Sequence, residues 1–223
     1  METEEPVGEG EHVVAPGEGM SAIAEAHGLF WETLWNHPEN SDLKRIRKNP
    51  EMLVPGDRVT VPPIREKVES CATRKVHRFR RKGVPVRVIY RVRDKKGRPF
   101  GHAPYRLQVG DHAYRGVTDA EGTIKEWVVP AAKTGELVVS IDRPPYPKEL
   151  TWSLKIGHLW PIDTVTGVRQ RLENLGYDCG QEPGLLSEPA RAALSQFQDR
   201  SKLPISGTLD ETTRGKLLEV HGS

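Results

Sequence analysis

Eight histidines and two cysteines are the side chains of this 223-residue sequence best suited to nucleophilic, acid–base or metal chemistry. Their spacing assembles none of the short motifs such chemistry uses. There is no His-Glu-x-x-His, which would set two zinc ligands and a general base on one helix face. There is no Gly-x-Ser-x-Gly turn to present a nucleophilic serine. A zinc site needs several ligands at close spacing, whereas His77, His102, His112 and His158 are scattered and read as surface or turn residues. Cys71 and Cys179 lie in different segments; an oxidising compartment could join them, but they read as two ordinary thiols. The chain is therefore expected to be no enzyme, to carry no cofactor and no metal, and to work by recognition.

Charge and composition narrow the partners. Thirty-three Lys plus Arg against 31 Asp plus Glu leave a net charge of +2, which argues against nucleic acid. No run of 18 apolar residues exists, so no membrane span is expected. The N-terminal METEEPVGEGEH is acidic and lacks both a basic start and an apolar run, so it does not read as a secretory signal. The first ten residues read as a flexible polar tail.

The elements that must position any binding residue are clearest toward the C-terminus. Val168, Leu172 and Leu175 recur at helical spacing, and Gly176 can end that helix in a left-handed conformation. Ala190, Ala193, Leu194 and Phe197 form a second stripe, which Ser187 can cap and whose first turn tolerates Pro189. A third stripe begins after Asp210 and turns Leu217 and Leu218 toward the same centre. Three short helices with narrow apolar faces bury them against each other.

The frame of Gln170, Leu172, Leu175, Gly176-Tyr177, Gly180, Gly184, Ala192-Ala193, Phe197-Gln198, Leu203-Pro204, Gly207, Asp210, Thr213 and Leu217 resembles the peptidoglycan-binding type 1 module. The resemblance implies a three-helix domain over 160–221. It also implies wall-binding or docking residues Tyr177, Gly180, Pro183, Gly184 and Ser187. The chain departs from the family at Pro183, Ser187 and Pro189, in the turn where a sugar or peptide would approach the backbone.

Residues 11–63 open with a short extended run at His12–Val14 and close with another at Arg58–Val61 before Pro62-Pro63. Between them, 21–27 and 30–37 read as short helices with Ile23, Leu34 and Trp35 inward, and 40–50 as a basic excursion. The order is β-α-α-β. Val13-Val14, Pro16 to Met20, Ile23-Ala24, Leu34 and Leu53-Val54-Pro55-Gly56-Asp57 followed by Val59 and Val61-Pro62 resemble a LysM domain. That resemblance implies binding of peptidoglycan or chitin-like N-acetylglucosamine polymers. It implies a shallow groove formed by Gly17, Glu18, Gly19 and Met20 with Met52, Leu53 and Val54. Trp31, Trp35, His37, Pro38 and Asn40 are similar to those of LysM-like domains in phage-tail, type VI secretion and related contractile injection proteins. Such domains dock spike, tube or effector proteins, and core packing is the plainer reading of the two tryptophans.

Residues 64–75 read as a charged linker. Just beyond it, Arg78, Arg80, Arg81 and Lys82 could contact wall phosphates or an acidic partner, although a solvated strand with Val76 and Phe79 inward is the simpler expectation. Over 76–157 the pattern turns to β. Alternating runs start at Val84, Tyr105, Tyr114, Thr123 and Glu136, with turns at Lys96-Gly97 and Gly110-Asp111, and Thr151–Ile156 is a last strand. This suggests a β-sandwich serving as spacer or docking platform. Gly116 to Gly122 resembles Ig-like or transthyretin-like domains, with Asp119 and Gly122 in a tight turn where calcium binding is the lesser alternative.

The fold class is thus multidomain α+β: a LysM-like unit, a central β-sandwich and a C-terminal three-helix unit. The expected function is non-catalytic peptidoglycan binding, with an adaptor of a type VI secretion or phage-tail-like contractile injection apparatus as the alternative. Synthesis in the cytoplasm and action in the periplasm or at the wall, after delivery by a secretion apparatus, complete the expectation.

Overall fold

Helices gather toward the two ends of the chain and antiparallel strands between them in the computed structural model, which describes residues 4–65, 68, 70–78, 85–94, 96–182 and 187–222. In the N-terminal unit, β1 (His12–Val13) pairs antiparallel with β2 (Arg58–Val59). Helix α1 (Met20–Ala26) buries Met20, Ile23 and Ala24, and α2 (Trp31–Trp35) buries Leu34 and Trp35. Trp31 is only partly buried against that core.

The expected order β-α-α-β is corrected by one element. The basic excursion over 40–50 contains a third helix, α3 (Ser41–Arg47), entered through a 3-10 turn at Pro38–Asn40. Leu43 and Arg47 stand one turn apart and are both buried. Asn40 staples α2 to the last strand: its Nδ2 donates to Leu34 O at 2.9 Å and to Thr60 O at 2.8 Å, and its Oδ1 accepts from Thr60 N at 2.8 Å.

The central unit contains β3 (Val86–Arg91), β4 (Pro104–Val109), β5 (His112–Val117), β6 (Thr123–Val128), β7 (Thr134–Ser140) and β8 (Glu149–Lys155). They form an antiparallel β3-β6 pair and a four-stranded sheet in the order β5-β4-β7-β8. Alternation turns Leu107, Val109, Leu137 and Val139 of the larger sheet and Ile124 and Val128 of the pair into one shared core. Asp119 makes the anticipated turn. Its carbonyl accepts from Gly122 N at 2.9 Å and its Oδ1 accepts from Glu121 N at 3.0 Å and Thr123 N at 2.8 Å. Val76, expected to point inward, is 93% exposed. Phe79, Arg80, Arg81 and Lys82 lie outside the described residues.

The C-terminal unit packs α4 (Val165–Asn174), α5 (Glu188–Arg200) and α6 (Glu211–His221) around Val168, Leu172, Ala190, Ala193, Leu194, Phe197 and Leu217. The expected stripes form, with one exchange: Leu218 is half-buried, and Val220 packs against the core. Ser187 stands at the start of α5 in extended backbone, yet its side chain makes no capping hydrogen bond. Thr164 and Asp210 do cap, accepting from Gly167 N and Thr213 N at 3.0 and 2.6 Å.

The two ends of the chain meet. Lys48 Nζ lies 2.8 Å from Asp163 Oδ2, and Thr166 N donates to Glu4 Oε1 at 2.8 Å. On the other side of the C-terminal unit, Arg91 Nη1 of β3 donates to Val220 O at 2.9 Å.

Candidate functional site

Gln198 organises the C-terminal unit from inside. Fully buried on α5, it accepts at Oε1 from Ser206 N (3.0 Å) and Gly207 N (2.9 Å). Its Nε2 donates to Thr208 O (2.9 Å), Ser206 Oγ (3.0 Å) and Thr213 Oγ1 (3.1 Å). One amide therefore fixes the α5–α6 loop and the first turn of α6. Gly207, at φ +64°, supplies the left-handed turn that lets two successive N–H groups converge on that oxygen.

The stretch 176–182 that follows α4 is shaped in a similar way. Gly180 adopts φ +71°, and a Cβ there would stand 2.9 Å from Pro189 Cβ. Its carbonyl accepts from Arg169 Nη2 at 2.7 Å. Tyr177 is 8% exposed and meets Phe197 edge-on at 5.9 Å, with the Arg200 guanidinium 5.3 Å from its ring centroid. Of the residues assigned to wall contact, Tyr177 thus packs into the core, Gly180 forms a left-handed turn against Pro189, and Ser187 begins the helix beyond them. Pro183 and Gly184 lie outside the described residues. Cys179 is buried, and burial pushes its thiol up to about 11; Cys71 is exposed.

The residues assigned to the N-terminal groove are held in several ways. Met20, Leu53 and Val54 are buried. Glu18 Oε2 accepts from Ala15 N at 2.9 Å and lies 3.0 Å from His12 Nε2. A Cβ on Gly19 would stand 2.6 Å from Glu51 Oε2. Burial raises the Glu51 carboxyl above its ordinary range, against hydrogen bonds from Ser21 N and Oγ.

Gly17 faces the connector at Gly157 and His158 that leads out of β8, and Met52 faces the C-terminal unit. A Cβ on Gly17 would stand 2.5 Å from His158 Nε2, and one on Gly157 would stand 2.7 Å from Gly17 O. Burial, then Lys155 and Lys133 nearby, lowers the His158 pKa and favours its neutral form. Arg171, fully buried, donates from Nη1 to Trp160 O at 2.9 Å and Gly167 O at 2.8 Å, and from Nη2 to Met52 Sδ at 3.5 Å. Burial brings its pKa down to about 10, so it remains a cation at neutral pH.

Sequence reasoning missed two features. A cleft of about 530 Å³ lies among Glu11, His12, His27, Val61, Pro62, Pro63 and Ile64. His12 and His27 meet edge-on inside it at 5.7 Å. The second feature is an exposed tryptophan, Trp127, on β6. Only the alternation of β6 could have signalled it. Among the described residues, no group of three His, Cys, Asp or Glu is placed to hold a metal ion, and no helix is long and apolar enough to cross a membrane.

Residues 163–217 match the family described as "Putative peptidoglycan binding domain". The matched span runs from Asp163 to Leu217 and so takes in the Gln198 network and the Tyr177–Gly180 segment. It supports a peptidoglycan-binding role for the chain. No curated protein and no solved structure matches it.

Proposed function

We propose that the chain is a non-catalytic peptidoglycan-binding protein that acts at the wall, with the C-terminal three-helix unit as its principal contact. The observation that carries this reading is the family match over 163–217, on a unit whose α5–α6 loop is fixed by the buried Gln198 amide. A pre-shaped loop reduces the ordering entropy that a polymer must overcome on binding. Recognition without turnover follows from the scattered histidines and the missing hydrolytic motifs. The test is sedimentation of the purified chain with insoluble peptidoglycan, with the supernatant assayed for soluble fragments and new reducing ends. Binding without release is expected; a chain that stays in the supernatant would sink the reading, and release would overturn the non-catalytic part.

A second reading is favoured by one observation, the contact of Gly17 and Met52 with Gly157, His158 and Arg171. In this reading the N-terminal unit is a LysM-like fold used for protein docking, and its first partner is the chain's own C-terminal unit. The protein then serves as an adaptor that brings a wall-binding module to a contractile injection apparatus or its cargo. Copurification of a spike, tube or effector protein from cells, lost when residues 11–63 are removed, is the result that would favour it.

A further inference from the structure

The outer face of the β3–β6 pair is not built like an ordinary solvated sheet face. Its register sets Arg87 opposite Trp127, Ile89 opposite Lys125 and Arg91 opposite Thr123. The alternate residues Val88, Tyr90, Ile124 and Val128 turn to the sandwich core, which leaves Arg87, Ile89, Arg91, Lys125 and Trp127 together on the other side. Trp127 is 58% exposed and Ile89 46%. Two large apolar side chains set diagonally among cations form a patch rather than scattered surface residues.

Three details give that patch a chemistry. The Arg87 guanidinium stands 5.9 Å from the centroid of the Trp127 ring, a cation–π contact that orients the indole and keeps a fork of donors beside it. Glu126, the one acid within either strand, points inward and accepts the Tyr105 hydroxyl's hydrogen bond at 2.5 Å. The exposed charges that the two strands themselves carry on this face are therefore all positive. At the end of the same row, Arg91 donates to Val220 O of α6, which sets the face beside the peptidoglycan-binding unit.

We propose that this face is a second contact for the same polymer, and this rests on the peptidoglycan reading above. A flat apolar indole packs against the C–H face of a sugar ring while its edge stays wet. Arg87 and Lys125 supply cations for the free carboxylates of the stem peptides, and guanidinium is the group that pairs with carboxylate in bidentate geometry. A neutral chitin-like chain satisfies the indole and leaves the cations unused; an anionic peptidoglycan strand uses both. Two adjacent weak contacts on one strand reinforce each other through effective concentration.

The experiment uses the full chain. Trp127→Ala, and separately Arg87→Glu with Lys125→Glu, should each lower apparent affinity for insoluble peptidoglycan about tenfold, the loss expected when one of two linked contacts is removed. Circular dichroism should stay unchanged, because these side chains are exposed. The charge variant should also flatten the salt dependence of binding. Titrating a disaccharide-tetrapeptide with free carboxylates into the labelled chain locates the contact by nuclear magnetic resonance. Shifts at Arg87, Ile89, Lys125 and the Trp127 indole N–H support the proposal. Shifts confined to 163–217, with both variants binding as wild type, overturn it and leave the peptidoglycan reading standing. No binding by the wild type to polymer or fragment removes both. Shifts on this face with polyglutamate but not with the muropeptide overturn the glycan assignment in favour of an acidic protein partner.

Discussion

Arg47 and Asp57 form an ion pair that solvent does not reach. The guanidinium donates from Nε to Asp57 Oδ2 at 2.8 Å and from Nη2 to Oδ1 at 2.7 Å, with the two side chains 1% and 0% exposed. The same carboxylate accepts from Val7 N and Val54 N at 2.8 and 2.9 Å, and Arg47 Nη2 also reaches Glu5 O at 2.7 Å. The pair ties α3, the loop before β2 and the N-terminal segment to one point.

Removing one partner leaves the other charged and buried, and the loss typically costs about 3–5 kcal/mol. Arg47→Ala should lower the urea midpoint of the N-terminal unit accordingly, and Asp57→Ala should do the same. A shift of under about 1 kcal/mol for either, the range of exposed pairs, would show that water reaches the pair in solution.

Glu51 gives a pH dependence of opposite sign to that of most carboxylates. Burial raises its folded-state pKa above the ordinary value, so the folded state binds its proton more tightly than the unfolded chain does. Its contribution to stability is full at pH below the unfolded value and is lost as pH rises through the raised one. Glu51→Gln keeps an acceptor for Ser21 and carries no charge. It should melt at a higher temperature than wild type at pH 7, and the gap should close as pH falls toward 4. A gap that is constant over pH 4–8 would mean the carboxylate is solvated.

Gln198 predicts a local failure in the C-terminal unit. Gln198→Ala leaves Ser206 N, Gly207 N and Thr213 Oγ1 without their amide partner, and unsatisfied buried groups cost about 1–3 kcal/mol each before water compensates. Protease cleavage at 203–209 should accelerate, and peptidoglycan sedimentation should fall with it. Cleavage at the wild-type rate would show that backbone contacts alone hold the loop.

The three C-terminal helices were legible because their apolar residues repeat at helical spacing and have nowhere else to go: Val168, Leu172, Ala193, Phe197 and Leu217 are all buried. Gln198, Gly207 and Thr213 were visible as members of a family frame, but their common role was not. A polar residue's partner is set by tertiary distance, and no periodicity encodes it. Helix α3 was hidden because Lys44, Arg45, Arg47 and Lys48 disguise a helix whose buried face is only Leu43 and an arginine that finds its counter-charge ten residues on. The β strands were readable from alternation, whereas the exposed position of Trp127 depended on which of its two faces met the larger sheet. The meeting of the two chain ends was the least legible feature, since it joins Gly17 to His158 and Met52 to Arg171 across more than a hundred residues of sequence.

That meeting supports the last prediction. Gly157 has φ +75°, a conformation that β-branched residues avoid, and a Cβ there would stand 2.7 Å from the Gly17 carbonyl oxygen. Gly157→Val therefore disfavours both the turn after β8 and the approach of the two units, without touching either core. Asp163→Lys removes the bridge to Lys48 from the other side. The combined variant should scatter X-rays with a larger radius of gyration than wild type while keeping its helical circular dichroism. Protease sensitivity should rise at 156–162. The opened variant also isolates the N-terminal groove: gain of binding to N-acetylglucosamine oligomers would mean that the contact masks a glycan site, and no gain would assign Gly17 and Met52 to holding the chain together. An unchanged radius of gyration and unchanged cleavage would sink the packing itself, since strained backbone and like charges would then face no partner to repel.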